Sequence, residues 1–431
     1  MRRLLFIVAM SCLTLAVGAQ SATDELQSDR RRSASNLMVY PEPLQRLTPS
    51  PKGKRPFYIS HYGRHGSRYQ TRIGDFDYVI NTLLQASRRN ALSPLGSDVL
   101  RRLEQMRAAS LEHIGELSSL GVTQQEGIAT RMYARFPDIF LRNAFVDARS
   151  TLSVRCILSM NIFLLQLARH NPSLQIVQDA SMADLYYMMP TDMTLAGRGA
   201  SVETKEEYRD WCDRHAKWQR VVNQLFCDTA FVTHRVNGPR LNYYLFRLAS
   251  GLQNTEPEDG LTLYDLFTDE EIYANWSREN AYWYLTSGFA SSSGGEQPFA
   301  ARALLRRIIE QADSSMHQPR PSAHLRFGHD TVLLPLVCLM GVNGFDFSTS
   351  DLSQLETHGW LNYRVFPMAA NLQLVFYRKD VNDADIVFKV LLNENEATLP
   401  IPTDIAPYYH WRDFRDYCLQ RINDYEARQT R

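Results

Sequence analysis

The sequence predicts an α/β fold: a mixed, mainly parallel sheet with helices on both faces, carrying an inserted, mainly helical cap. Three observations predict it. Short apolar runs end in polar turns and pass into helical patterns at Phe57–Arg68, at Asn143–Arg155 and at Ala323–Met340. Residues 180–300 are rich in Trp, Tyr and mixed charge, with few of the period-2 alternations that mark strands. Two further strand-like runs then close the chain, Asn371–Tyr377 and Asp385–Leu392, joined by the polar loop Lys379-Asp380-Val381-Asn382-Asp383.

Taken in order, the chain opens with a targeting signature. Arg2 and Arg3 precede the apolar run Leu4–Val17, and small residues near Ala19 suit signal peptidase. Residues 1–19 are therefore read as a removable leader, which implies export, and no later run is long enough for a membrane span. Residues 20–50 are polar, Ser/Arg-rich and closed by prolines, and read as a tether laid over the surface. Residues 51–179 form the first part of the core, 180–300 the cap, and 301–431 the second part of the core.

Within the first part, Asp75–Leu117 is helical, with Val79, Leu83 and Leu84, then Val99, Leu103 and Met106, at helical spacing. Ser93-Pro94 and Gly96 break it. Thr123 with Glu126 forms a candidate capping box for the next helix. After the Asn143–Ala148 strand, Ser150 or Thr151 can cap a helix reaching His170, with Ile157, Leu158, Ile162, Leu165 and Leu167 on its apolar face. Phe299–Ala312 reads as an amphipathic helix.

A chain of 431 residues with 44% hydrophobic and 11% aromatic content has ample material for a large core. Its 47 basic and 47 acidic residues balance, with no basic stripe, which argues against a nucleic-acid partner. With Cys12 lost in the leader, Cys156, Cys212, Cys227, Cys338 and Cys418 remain, so at least one is unpaired. A Cys212–Cys227 bridge and buried free thiols both stay open. The cysteine spacings do not form a zinc pattern.

The chemistry concentrates at the ends of the strands. Arg64, His65 and Arg68 follow the first, Arg149 and Arg155 the second, and His329 and Asp330 the third. In open α/β sheets ligands bind at the carboxyl ends of strands. Guanidinium forks bind phosphate oxygens, and a neutral imidazole can attack phosphorus. Arg155 in the first turn of a helix is poorly placed for the dipole, but with the helix amides it makes an anion site.

In Arg64-His65-Gly66-Ser67-Arg68-Tyr69, Arg149-Ser150-Thr151 with Arg155-Cys156, and Phe327-Gly328-His329-Asp330-Thr331, the chain resembles the histidine acid phosphatases. These form branch 2 of the histidine phosphatase superfamily. Within that branch it most resembles the multiple inositol polyphosphate phosphatases and phytases. Weaker echoes are Gly115-Glu116-Leu117, Tyr282-Trp283, Pro367-Met368-Ala369-Ala370-Asn371-Leu372 and Leu391-Leu392-Asn393-Glu394.

The resemblance implies a phosphoglycerate-mutase-like three-layer core and hydrolysis of phosphate monoesters without metal or other cofactor. It implies His65 as nucleophile, Arg64, Arg68, Arg155 and His329 as ligands of the phosphoryl oxygens, and Asp330 as proton donor to the leaving alcohol. A carboxyl at the site edge is expected to stay protonated at mildly acidic pH. The inositol polyphosphate branch usually carries His-Ala-Glu where this chain has His329-Asp330-Thr331, so positional specificity does not carry over.

Further residues have two readings each. Gln70-Thr71-Arg72 stands where proline is common in the family, and Arg72 either adds charge for a multiply phosphorylated substrate or does not. Arg149 touches phosphate or only positions the helix start. His61 supports the site or packs. The implied partner is a small phosphate ester, phytate foremost. A broad-specificity acid phosphatase and an exported phosphoryl-ligand binder are the rival functions. A metal-dependent phosphohydrolase would need His/Asp neighbours that His113, His170 and His215 lack.

Overall fold

The computed structural model describes residues 21–430 apart from 44, 191, 193, 196–200, 203–204 and 256–259. The leader falls outside the described residues. A single mixed sheet of eight strands runs in the order β3-β2-β4-β1-β5-β6-β7, with β8 also paired to β6. The strands are β1 (Arg55–Arg64), β2 (Phe145–Ser150), β3 (Gln175–Asp179), β4 (Ser322–Gly328), β5 (Asn371–Arg378), β6 (Val387–Leu392), β7 (Asn395–Ala397) and β8 (Tyr409–His410). Strands β3, β2, β4 and β1 are parallel; β5 to β8 extend the sheet antiparallel from β1.

Register explains why the strand ends converge. Arg64 at the end of β1 lies level with Gly328 of β4, and Ser150 of β2 lies level with Phe327. The three polar turns therefore leave the sheet side by side. Alternation along β1 sends Tyr58 and Tyr62 to one face and Ile59 to the other. Helices α4 (Ser119–Arg135) and α5 (Val154–His170) cover the Ile59 face through Ile128, Met132, Phe163 and Leu167. The opposite face is covered by the helices Arg302–Met316, Asp330–Met340 and Trp411–Gln429.

Several local readings change. Helix α4 begins at Ser119, not Thr123, because Ser118 Oγ accepts the Gly121 amide at the helix start. The residue before α5 is Ser153, and Thr151 is turned toward His329 instead of capping. Helices α2 (Gly74–Ser87) and α3 (Pro94–Leu111), allotted to the core, bury Val79, Leu83, Val99 and Leu103 against Val221, Leu225, Leu241, Leu245 and Ile272. They thus share one apolar cluster with residues 221–272. All five described cysteines are free.

The stretch expected to be a surface tether is instead built into the protein. Ser21 and Asp24 form a capping box for α1 (Ala22–Ser28), and a 3₁₀ segment follows at Arg30–Leu37. Ala22, Leu26, Ala34, Leu37 and Met38 are buried with Trp276, Leu361, Tyr363 and Met368. Glu25 accepts bonds from Arg32 and Arg364, and from the Tyr363 hydroxyl. Few apolar residues suffice here because each is aimed at a waiting pocket of the folded body.

Candidate active site

The Arg64–Arg68 turn is clasped from several sides. Arg64 N donates to Ala370 O at 2.7 Å, His65 N to Gly328 O at 3.1 Å, and Ala369 N to His65 O at 2.9 Å. Gly66 N donates to Ser159 Oγ at 3.1 Å and Ser67 N to Gln124 Oε1 at 2.8 Å. A methyl at Gly66 would lie 2.5 Å from Gly121 O, so only glycine lets α4 approach this turn. Arg68 bridges to Leu117, and Tyr69 N bonds Glu116 O. The weaker sequence echoes thus hold the turn in place. Asn393 and Glu394 belong to this scaffold too: Glu394 is buried and ion-paired to Arg131 and Arg135 of α4.

His65 is buried, and its Nδ1 lies 2.9 Å from Gly66 O. That carbonyl can only accept, so Nδ1 carries the proton and Nε2 keeps its lone pair. Burial, reinforced by Arg64, Arg68 and Arg155, holds its pKa well below the usual value. The ring is therefore a neutral imidazole across the working range. His329 stands beside it, ring centroids 5.7 Å apart and nearly perpendicular. Its Nε2 lies 3.2 Å from Thr151 Oγ1, and its backbone amide donates to the Tyr62 hydroxyl at 3.2 Å. Burial and then the nearby arginines lower its pKa to about 4, against an opposing pull from Asp330.

The guanidinium groups share one chemical property. Arg64 is fully buried, and its Nη1 donates to Phe366 O at 2.8 Å and to Asn36 O. Its Nη2 lies 2.9 Å from Asp330 Oδ2, close enough for an ion pair but out of hydrogen-bond alignment. Nε of Arg64, of Arg68 and of Arg155 is likewise buried without an acceptor. Unmet buried N–H groups are costly. Four of them, on three arginines around one imidazole, make a cluster suited to an oxyanion. Burial, followed by Arg64 and Arg155, lowers the Arg68 pKa to about 9, which leaves it charged near neutrality.

Asp330 is buried, not at the site edge. Oδ1 accepts from Thr331 N at 2.9 Å, and Oδ2 accepts from Asn36 Nδ2 at 2.8 Å. Burial pushes its carboxyl up, but Arg64, Asn36, His329 and Arg68 outweigh this and hold it below the usual carboxylate range. The expectation of a carboxyl protonated at mild acidity therefore fails for the unliganded pocket. Cys156, beside His329, is no competing nucleophile: burial raises its thiol to about 11.

The remaining candidates separate. His61 packs between Phe163 and Phe327, at 5.4 and 5.5 Å, and burial lowers its pKa to about 3. Arg149 pairs with Asp147 at 2.7 Å and reaches toward Asp179, on the β2–β3 side of the sheet. Arg72 is exposed and lines a cleft of ≈ 680 Å³ that also includes Asn36, Arg240, Arg247, Arg278 and Trp283. Asn36, Tyr62, Thr151 and Ser159 touch the cluster and were not predicted. Of these only Thr151 stood inside a recognised motif.

Four enclosed histidines, His61, His65, His324 and His329, are all held neutral, mainly by burial. In the unfolded chain they titrate near about 6.5. Their folded pKa values are depressed, so stability is complete above about pH 6.5 and is lost as pH falls toward 4. Each contributes up to about 1.4 kcal/mol per pH unit in that window. Urea midpoints at pH 7 and pH 5 check this, with the lower midpoint expected at pH 5.

Comparison with known proteins places this geometry. A 109-residue stretch is 27% identical to multiple inositol polyphosphate phosphatase 1 of Dictyostelium discoideum, covering 25% of this chain and only 17% of that protein. The multiple inositol polyphosphate phosphatase of Bifidobacterium longum, solved with phosphate, superposes with a TM-score of 0.72 at 17% identity. That superposition covers 90% of this chain and 97% of the other. A phytase from D. castellii gives 0.68 at 14% identity, covering 92% and 86%. At such identities the two solved structures establish a shared fold. The sequence profile of the histidine phosphatase superfamily, branch 2, matches residues 64–393, from the Arg64-His65 turn through Asn393. That span takes in most of the chain and every strand end that carries the cluster, and the chain belongs to this family.

Proposed function

We propose that the protein is an exported phosphomonoesterase that works through a covalent phosphohistidine on His65 and takes inositol polyphosphates such as phytate. The observation that carries this reading is the neutral His65 imidazole, its Nδ1 tied to Gly66 O, set among buried guanidinium N–H groups that lack acceptors. Phosphoryl transfer asks mainly for positioning and for positive charge around the equatorial oxygens. Arg64, Arg68 and Arg155 supply both, and His329 adds a neutral positioning group.

In the first step His65 Nε2 attacks phosphorus in line, the N–P bond forms, and the ester P–O bond breaks. The departing oxygen takes a proton from Asp330. In the second step water attacks phosphorus, its proton passes to the Asp330 carboxylate, and the N–P bond breaks to release orthophosphate. Asp330 is ionised in the free pocket, so it must gain its proton as substrate binds. A phosphate dianion cancels the charge of Arg64 and Arg68 and repels the carboxylate, and both effects raise the Asp330 pKa.

Support for a polyanionic substrate comes from the named relatives and from the cleft, whose Arg72, Arg240, Arg247 and Arg278 accompany Asp75 and Glu279. Export rests on the leader signature. Among the described residues no helix is long and apolar enough to cross a membrane. The test is orthophosphate release from inositol hexakisphosphate and from nitrophenyl phosphate, both in the presence of chelator. Release from both is expected. Tight phosphate binding without turnover would instead make the protein a phosphoryl-ligand binder.

A further inference from the structure

Asn36 lies outside the residues matched by the family profile, in the segment that first read as a tether. It nevertheless touches two members of the cluster at once. Its side-chain Nδ2 donates to Asp330 Oδ2 at 2.8 Å, and its backbone oxygen accepts from Arg64 Nη1. We propose that Asn36 is a positioning residue for the leaving-group proton donor, fixing the Asp330 carboxyl relative to the Arg64 guanidinium. This rests on the role given to Asp330 above.

The geometry leaves Asp330 one free direction of control. Oδ1 is held by the adjoining amide of Thr331, within its own helix, whereas Oδ2 is met by Asn36 and Arg64 from outside it. An arginine alone can only favour the charged carboxylate. An asparagine amide serves both protonation states: Nδ2 donates to the carboxylate, and after a half-turn Oδ1 accepts from the carboxylic acid. A group that gives up its proton in one step and regains it in the next needs such a neighbour.

The segment is anchored independently of that side chain. Ser33 Oγ lies 3.3 Å from the Tyr264 hydroxyl, and Ser35 Oγ accepts from Asn362 Nδ2 at 2.8 Å. Leu37 O accepts from Asn254 Nδ2 at 2.7 Å, and Val39 N donates to Gln253 Oε1 at 3.1 Å. Truncating Asn36 therefore removes one amide and leaves the segment seated. Asn36 also lines the cleft of Arg72 and Arg240, so one residue joins that cleft to Asp330.

Leaving-group dependence is the discriminating readout. A nitrophenolate leaves without a proton, whereas an alkyl alcohol such as glycerol or inositol needs one. Asn36→Ala is expected to lower kcat/KM on glycerol phosphate roughly 10- to 100-fold, the value of a hydrogen bond to a charged group. On nitrophenyl phosphate kcat/KM, which reports only the first step, stays close to wild type, as does the thermal midpoint. The alkaline limb of kcat moves to higher pH, because a donor to the carboxylate is gone. Arg64, Arg68 and His329 also face Asp330 and remain, as do Cys156 and Tyr62, both held protonated by burial.

Combining Asn36→Ala with Asp330→Asn should add nothing on glycerol phosphate to the loss from Asp330→Asn alone. An equal loss of kcat/KM on both esters, or a further tenfold loss in the double variant, overturns the proposal. If Asp330→Asn itself shows no leaving-group dependence, the assignment of Asp330 fails first, and the Asn36 role falls with it.

Discussion

His65→Ala is expected to abolish turnover on every phosphate ester while leaving phosphate binding intact. In the proposed mechanism Nε2 accepts the phosphoryl group, and without it a direct attack by water would have to find a general base among charged arginines and the Asp330 carboxylate. Loss of a nucleophile embedded in an otherwise complete site costs on the order of 10⁵- to 10⁶-fold in kcat. The buried guanidinium groups are untouched by the change, since the His65 side chain hydrogen-bonds only Gly66 O. Orthophosphate should accordingly bind the variant with a Kd near that of wild type in a calorimetric titration. Loss of binding together with activity would mean that the turn itself had collapsed.

Asp330→Asn carries the second large effect, and its size should depend on the leaving group. General acid catalysis contributes about 10²- to 10⁴-fold, and the amide retains the shape of the side chain without a transferable proton. Inositol and glycerol phosphates should lose that factor in kcat. Nitrophenyl phosphate, whose phenolate departs readily, should lose much less in the first step. The substitution also removes the negative charge 2.9 Å from Arg64 Nη2, so phosphate should bind the variant more tightly than wild type. Steady-state kinetics on the two esters and a phosphate titration read both consequences.

The cluster was legible because its parts are short, contiguous and set at strand ends. Arg64-His65-Gly66-Ser67-Arg68 and Gly328-His329-Asp330 each need only a strand, a turn and a helix start to be placed, and these signals are local. Arg155 was legible through its misfit with the helix dipole. Asn36 was not, because its contact with Asp330 spans 294 positions and the stretch before it, Arg30–Ser35, is rich in Arg and Ser and reads as linker. The same holds for α2 and α3: their apolar stripes were visible, but nothing local says that Leu241 and Leu245, far along the chain, would cover them. Strand β3 was missed for another reason. It lies at the sheet edge with little burial, so its Gln175–Asp179 sequence lacks the alternation that marks a half-buried strand. Arg149 pairs with Asp147 two residues earlier on the same strand face, a strand contact that the reading of Arg149 as a helix-start residue did not include.

The stabilities of the two halves of the site differ in origin. The His65 turn is fixed by backbone bonds and by the Gly66–Gly121 approach, which admits no side chain. Asp330 and Arg64 are fixed largely by side chains and by the N-terminal segment. In the proposed mechanism, chemistry at phosphorus would therefore sit on rigid backbone and proton delivery on a more adjustable frame.

Trapping of the covalent intermediate tests the account most directly. The protein is mixed with a radiolabelled phosphate ester, quenched in alkaline denaturant within one turnover, and digested for mass spectrometry. Label that survives base, is lost in acid, maps to His65 and is missing from His65→Ala is the predicted result. Orthophosphate released in that turnover with no label on the protein, or label on any residue other than His65, would contradict it.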